Sequence, residues 1–172
     1  MTRLFPLIFC LCLFSPAYVL AQCDAEVAFS PHGKSLDLIV SAIKSAKQTI
    51  RVTAYSFTSK PISQALVAAH RHGVDVKVVA DAKTNNGYTS VTYLAHQGIP
   101  VRLNDRYAIM HSKFMVVDGK TVQTGSFNYT GAAANNNAEN VLVVKDCHEL
   151  ASHYVEEWHQ LWEEGEALKK GY

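Results

Sequence analysis

Apolar positions along this chain follow two alternating spacings. Leu36, Ile39, Val40, Ile43 and Ala46 recur at three and four residues, one stripe of a helix for which Ser35 is an available N-cap. Ile50–Tyr55 alternates with the period of two that a half-buried strand requires. Ser59 offers a second N-cap, with Pro61 in the first helical turn where its missing N–H costs nothing. That helix ends on Arg71, His72 and Gly73, a basic last turn followed by glycine. Val74–Ala80 is almost continuously apolar, as in a central strand covered on both faces. Ser90–Gln97 reads as a short helix closed by Gly98. Val27–Phe29, Val101–Leu103, Lys113–Val117, Thr121–Thr124 and Val141–Val144 read as strands, the third and fourth joined by an Asp118-Gly119 hairpin turn. Gly131–Asn140 predicts a loop, and Cys147 to about Lys169 a closing helix capped by Asp146. Strands interleaved with helices predict an α/β domain built on a mixed β-sheet with helices on both faces.

The N-terminus does not fit that scheme. Arg3, the apolar run Leu4–Tyr18 and the small-residue site Val19-Leu20-Ala21 predict a signal peptide, residues 1–21, and an exported protein, periplasmic or secreted. An uncleaved membrane anchor is the alternative, although the run contains Pro6 and Pro16 and is shorter than the ~20 residues of a comfortable span. Residues 22–172 then form a single domain. With 48% apolar and 18% charged residues, the chain is not intrinsically disordered.

Charge changes the picture only locally. Residues 22–145 hold 13 Lys/Arg and 8 Asp/Glu, a net of +5, and residues 146–172 hold 2 and 7, a net of −5. An anionic partner would meet the first segment, with the acidic tail elsewhere. Cys23 and Cys147 are the two cysteines beyond the targeting segment. In an oxidising compartment they are candidates for a disulfide, against two free thiols or lipidation of Cys23.

The chemistry concentrates in His111-Ser112-Lys113-Phe114-Met115-Val116-Val117-Asp118-Gly119. His111 and Lys113 are two apart at a strand entrance, so alternation turns both side chains to one face. An ammonium beside an imidazole favours the neutral, nucleophilic ring, and it would neutralise a bound phosphate. Asp118 could orient or charge-compensate one of them. Ser126 and Asn128, in Gly125-Ser126-Phe127-Asn128, can donate to phosphate oxygens, and Glu139 is a candidate partner for a histidine nitrogen.

His-x-Lys-x4-Asp followed by Gly-Ser-x-Asn resembles the HKD signature of the phospholipase D superfamily, and the mature chain is similar to its small exported bacterial nucleases. The resemblance implies the phospholipase D/nuclease fold and metal-independent phosphodiester hydrolysis without a cofactor, through a covalent phosphohistidine. Catalysis would then fall to His111, Lys113, Asp118, Ser126, Asn128 and Glu139. Lys113, Ser126 and Asn128 would bind phosphate, while Asp118 and Glu139 set the histidine's tautomer and charge. Two histidines are needed, one to attack and one to protonate the leaving oxygen. The other His-x-Lys, His32-Gly33-Lys34, has Ile39 at the aspartate position and no Gly-Ser-x-Asn after it. A single HKD copy per chain therefore implies a homodimer with the two copies of His111 facing each other. DNA or RNA is the expected substrate; a phospholipid is the alternative, and a non-catalytic anion-binding or nucleic-acid-binding dimer a third reading.

Other polar features read as structural. His70 and His72 point apart on a helix, Trp158 and Trp162 form a core or dimer-contact stripe, and Tyr55-Ser56-Phe57, which follows a strand and could flank the cleft, is expected to be buried. No zinc-spaced cysteine/histidine set, phosphate-binding glycine loop or Gly-x-Ser-x-Gly elbow is present in the sequence.

Overall fold

A computed structural model describes residues 23–85, 87 and 89–168. The targeting segment lies outside them. In chain order the elements are β1 (Asp24–Ser30), α1 (Ser35–Ser45), β2 (Thr49–Ala54), α2 (Lys60–Arg71), β3 (Asp75–Asp81), α3 (Ser90–His96) and β4 (Val101–Asn104). They continue with β5 (Phe114–Val117), β6 (Thr121–Gly125), α4 (Gly131–Asn135), β7 (Glu139–Lys145), α5 (His148–Glu164) and β8 (Glu166–Ala167). The strands form one sheet in the order β1-β7-β6-β5-β2-β3-β4-β8. The β2–β3 and β3–β4 pairs are parallel, and the others are antiparallel.

Burial explains the layers. Ile39, Ile43, Ile62 and Leu66 of α1 and α2 pack on Ile50, Val52, Val76 and Val78 on one face of the sheet. On the other face, Trp158, Leu161 and Ala151 of α5 cover Val79, Phe114, Val116 and Val122. Helices lie on both faces, as the α/β pattern implies. The Trp158 indole also donates to the Val52 carbonyl at 3.0 Å, so its one polar atom is satisfied inside the core. Cys23 and Cys147 form a disulfide that ties the chain before β1 to the N-cap of α5.

Several local expectations are corrected. Ser35 is the first helical residue and Lys34 the cap, and the Ser35 hydroxyl is buried without a hydrogen-bond partner among the described residues. Cys147, not Asp146, caps α5; Asp146 sits at φ 51° and pairs with Lys120 at 2.7 Å. The Gly/Ala/Asn stretch contains α4, capped by Thr130, whose hydroxyl accepts from the Ala133 N–H at 3.1 Å, and the first residues of β7. The closing helix ends at Glu164, after which β8 adds a short strand to β4.

Candidate active site

The parallel strands β2 and β3 end at the same edge of the sheet where antiparallel β5 begins. Loops gather there, the usual place for a site in an open α/β sheet. His111 and Lys113 lead into β5, and Ser126 follows β6 directly. All three line an open pocket of about 610 Å³.

His111 is exposed, and its ring meets the Tyr55 ring edge-on at 4.5 Å between centroids. Lys113 is 8% exposed; its ammonium donates to the His111 carbonyl at 2.5 Å and lies 5.3 Å from the Tyr55 ring centre. Burial pulls the Lys113 ammonium below its ordinary value, and the Glu139 carboxylate opposes that pull. The Ser126 hydroxyl donates to Glu139 Oε2 at 2.5 Å, and Asn137 donates to Oε1 at 3.0 Å. The Asn140 backbone N–H donates to Ser126 Oγ at 3.1 Å. Gly125, at φ 149°, makes this closeness possible, because a Cβ there would collide with the Asn140 carbonyl. Asn128 is half-buried, with Oδ1 enclosed and without a partner among the described residues.

Asp118 is not part of this cluster. Five residues beyond Lys113 along β5, it stands roughly 16 Å away at the opposite end of the strand. Its carboxylate accepts the backbone N–H groups of Lys47 (2.9 Å), Gln48 (2.8 Å) and Thr49 (2.9 Å), clamping the α1–β2 turn. The expectation that it sets the histidine's tautomer and charge is therefore corrected. Asp118 and Gly119 both have positive φ, 52° and 62°, as the hairpin reading requires.

The structure adds residues to the site and corrects the expected burial of Tyr55. Tyr55 is half-buried against both His111 and Lys113, so it belongs to the cleft and not to the core. Tyr154 and Glu157 of α5 line the pocket, so part of the acidic C-terminal segment lies at the site and not away from it. Behind the pocket, Asp81 is 1% exposed and accepts the Met110 N–H at 2.8 Å, one residue before His111. Asn85 donates to the Tyr55 carbonyl at 2.5 Å and accepts from the Phe57 N–H at 3.1 Å. The available sequence signal was Asp81 itself, an acid directly after the apolar run Val78-Val79-Ala80. Among the described residues, no three His, Cys, Asp or Glu side chains gather as a metal-holding group.

A pocket that pairs an imidazole with a buried lysine and a Ser–Glu couple is built to take a phosphodiester anion. Residues 39–162 match the family described as cardiolipin synthase, PLD-like domain. The chain belongs to the phospholipase D superfamily, whose members are phosphodiester hydrolases. Among solved structures, it is 43% identical to a phospholipase D family member, Nuc from Salmonella typhimurium, with a TM-score of 0.83, covering 86% of this chain and 99% of that one. NucT from Helicobacter pylori, 22% identical with a TM-score of 0.74, shares the fold. Among curated proteins, the mitochondrial cardiolipin hydrolase of Canis lupus familiaris is 36% identical over 137 residues, 78% of this chain but only 53% of that protein. A phospholipase D of Rickettsia bellii is 34% identical over 140 residues, 81% of this chain and 69% of that one.

Proposed function

We propose that this protein hydrolyses nucleic-acid phosphodiester bonds with low sequence specificity, without a metal, through a phosphohistidine on His111. The observation that carries this reading is the convergence of His111, Lys113 and Ser126 on one open pocket, with a single such set in the chain. A His111 ring nitrogen attacks phosphorus, and the P–O bond to the leaving group breaks as His111 of a second copy delivers a proton to that oxygen. The second histidine then takes a proton from water, whose oxygen attacks phosphorus and releases His111. Lys113, Ser126 and Asn128 hold the non-bridging oxygens, and Glu139 orients Ser126 and sustains the charge on Lys113.

Half a site per chain calls for a homodimer. Val27 and Phe29 of β1, 60% and 59% exposed, form an apolar surface beside the site, since Phe29 is in register with Asn140. A second copy would cover it. Polynucleotide over lipid is supported by the +5 balance of residues 22–145, which suits contacts to a phosphate backbone. The names of the curated relatives favour a second reading, hydrolysis of a phospholipid diester. Export from the cytoplasm is supported by the Cys23–Cys147 bond.

The test is cleavage of plasmid DNA and of phosphatidylcholine or cardiolipin vesicles in parallel, all in excess EDTA. DNA cut with lipid intact is the expected result. Lipid turnover with intact DNA would give the site to the second reading, and loss of all turnover in EDTA would refute metal independence. Light scattering should find the active species at twice the monomer mass; an active monomer would refute the shared site.

A further inference from the structure

A second pocket, about 360 Å³, opens where α2 and α3 begin, beyond the catalytic cluster. Its walls include Thr58, Lys60 and Gln64 on one side and Thr89, Ser90 and Tyr93 on the other, and among the described residues no carboxylate lines it. The first turn of α2 carries no acidic residue and its N-cap makes no side-chain hydrogen bond, so its positive end is uncompensated. A second observation points independently to a ligand. Ser90 lies on the pocket wall and is only 8% exposed. Thr89 Oγ1 beside it is enclosed and has no hydrogen-bond partner among the described residues. Enclosed hydroxyls ordinarily find a partner. Tyr93, an aromatic ring left 41% exposed, completes the wall.

This combination fits one nucleotide: a cation and hydroxyls for phosphate and sugar oxygens, and a ring on which a base stacks. The position fits as well. Tyr55, in contact with His111, is three residues before Thr58, a span of at most ~11 Å. In a duplex each strand places a phosphate every ~3.4 Å of helix axis, so a pocket this near the cluster is within reach of a nucleotide a few positions from the reacting diester. We propose that this pocket is a subsite for a nucleotide flanking the scissile phosphodiester. The proposal rests on the nucleic-acid reading above and deepens it: affinity comes from an extended strand held at two points, and a small diester uses only one.

Lys60→Gln and Tyr93→Ala test it in the purified full protein. Both side chains are exposed and outside the catalytic cluster, so the fold should persist, and thermal melting checks this. Kinetics are compared on a single-stranded oligonucleotide of about 12 nucleotides and on bis(p-nitrophenyl) phosphate, which is too small to reach the subsite. Each variant should raise KM for the oligonucleotide at least about fivefold, the low end for a stacked base, while the small diester keeps wild-type kcat and KM. Lys60→Gln should also flatten the salt dependence of oligonucleotide binding by roughly 0.7 in logarithmic slope. Unchanged oligonucleotide KM, or equal losses on both substrates, would overturn the subsite alone. Wild-type protein that cleaves the small diester or phospholipid vesicles but no oligonucleotide would instead overturn the nucleic-acid reading, and the subsite with it.

Discussion

Removing the Asp118 carboxylate separates a role in chemistry from a role in the fold. Three backbone N–H groups converge on it, those of Lys47 and Gln48 exposed and that of Thr49 part-buried. Asp118→Asn keeps the oxygen that serves Gln48 and Thr49 but loses the acceptor for Lys47, an exposed bond worth about 1 kcal/mol. Asp118→Ala loses all three and places alanine at φ 52°. The stranded Thr49 N–H costs about 1–3 kcal/mol, and the left-handed backbone adds ~1–2 kcal/mol, for a total of about 3 kcal/mol. Burial by itself pushes this carboxyl up, but the N–H groups of Thr49, Gln48 and Lys47, with Lys120 nearby, outweigh it and leave its pKa lowered. The carboxylate's contribution is therefore full above its unfolded pKa of about 4 and is lost as pH falls through the folded value. Urea unfolding of wild type and both variants at pH 7 and pH 3 measures this, and the gap to Asp118→Asn should close on the acid side. At pH 7 in the absence of urea, kcat/KM per folded molecule should stay within about twofold of wild type. An Asp118→Asn protein with an unchanged urea midpoint and a loss of about a hundredfold or more in kcat would refute the clamp and return Asp118 to the chemistry.

His111→Ala should remain folded, since the side chain is exposed, and should lose on the order of 10³-fold or more in kcat; a near-wild-type rate on plasmid DNA would end the phosphohistidine mechanism. Lys113 binds phosphate only while protonated, and Glu139 is what holds its pKa up against burial. In Glu139→Gln the alkaline limb of kcat/KM should accordingly move to lower pH; an unmoved limb in a full pH–rate profile would disconnect the pair. The Cys23–Cys147 bond closes a sequence separation of 124, and the chain-entropy account assigns it about 4–5 kcal/mol. Cys23→Ser/Cys147→Ser should lower the denaturation midpoint accordingly, and residues 22–172, denatured without reductant, should titrate no thiol.

Of the site, His111, Lys113 and Ser126 were legible from sequence because each is placed by chain neighbours: a strand entrance, a two-residue alternation and the exit of the hairpin's second strand. The helix of residues 60–71 and its glycine stop were legible for the same reason, since stripe and terminator are local. Asp118 was misassigned by that same locality. Its closeness to Lys113 in sequence suggested a shared site, but an extended strand carries it to the opposite end of the sheet, where its partners are about 70 residues earlier in the chain. The Ser35 and Asp146 caps failed because a cap depends on where the preceding turn aims the side chain, which composition does not record.

Period, punctuation and motif were enough to determine an α/β chain carrying one phosphodiester-binding signature. Strand order and register decided the rest. Placing β5 beside β2 brings Tyr55 against His111, and pairing β6 with β7 brings Glu139 to Ser126. Docking α5 on the sheet brings Glu157 to the pocket. These contacts join residues from separate elements. No local pattern encodes them, because they arise only when burial of both sheet faces selects one arrangement of the whole chain.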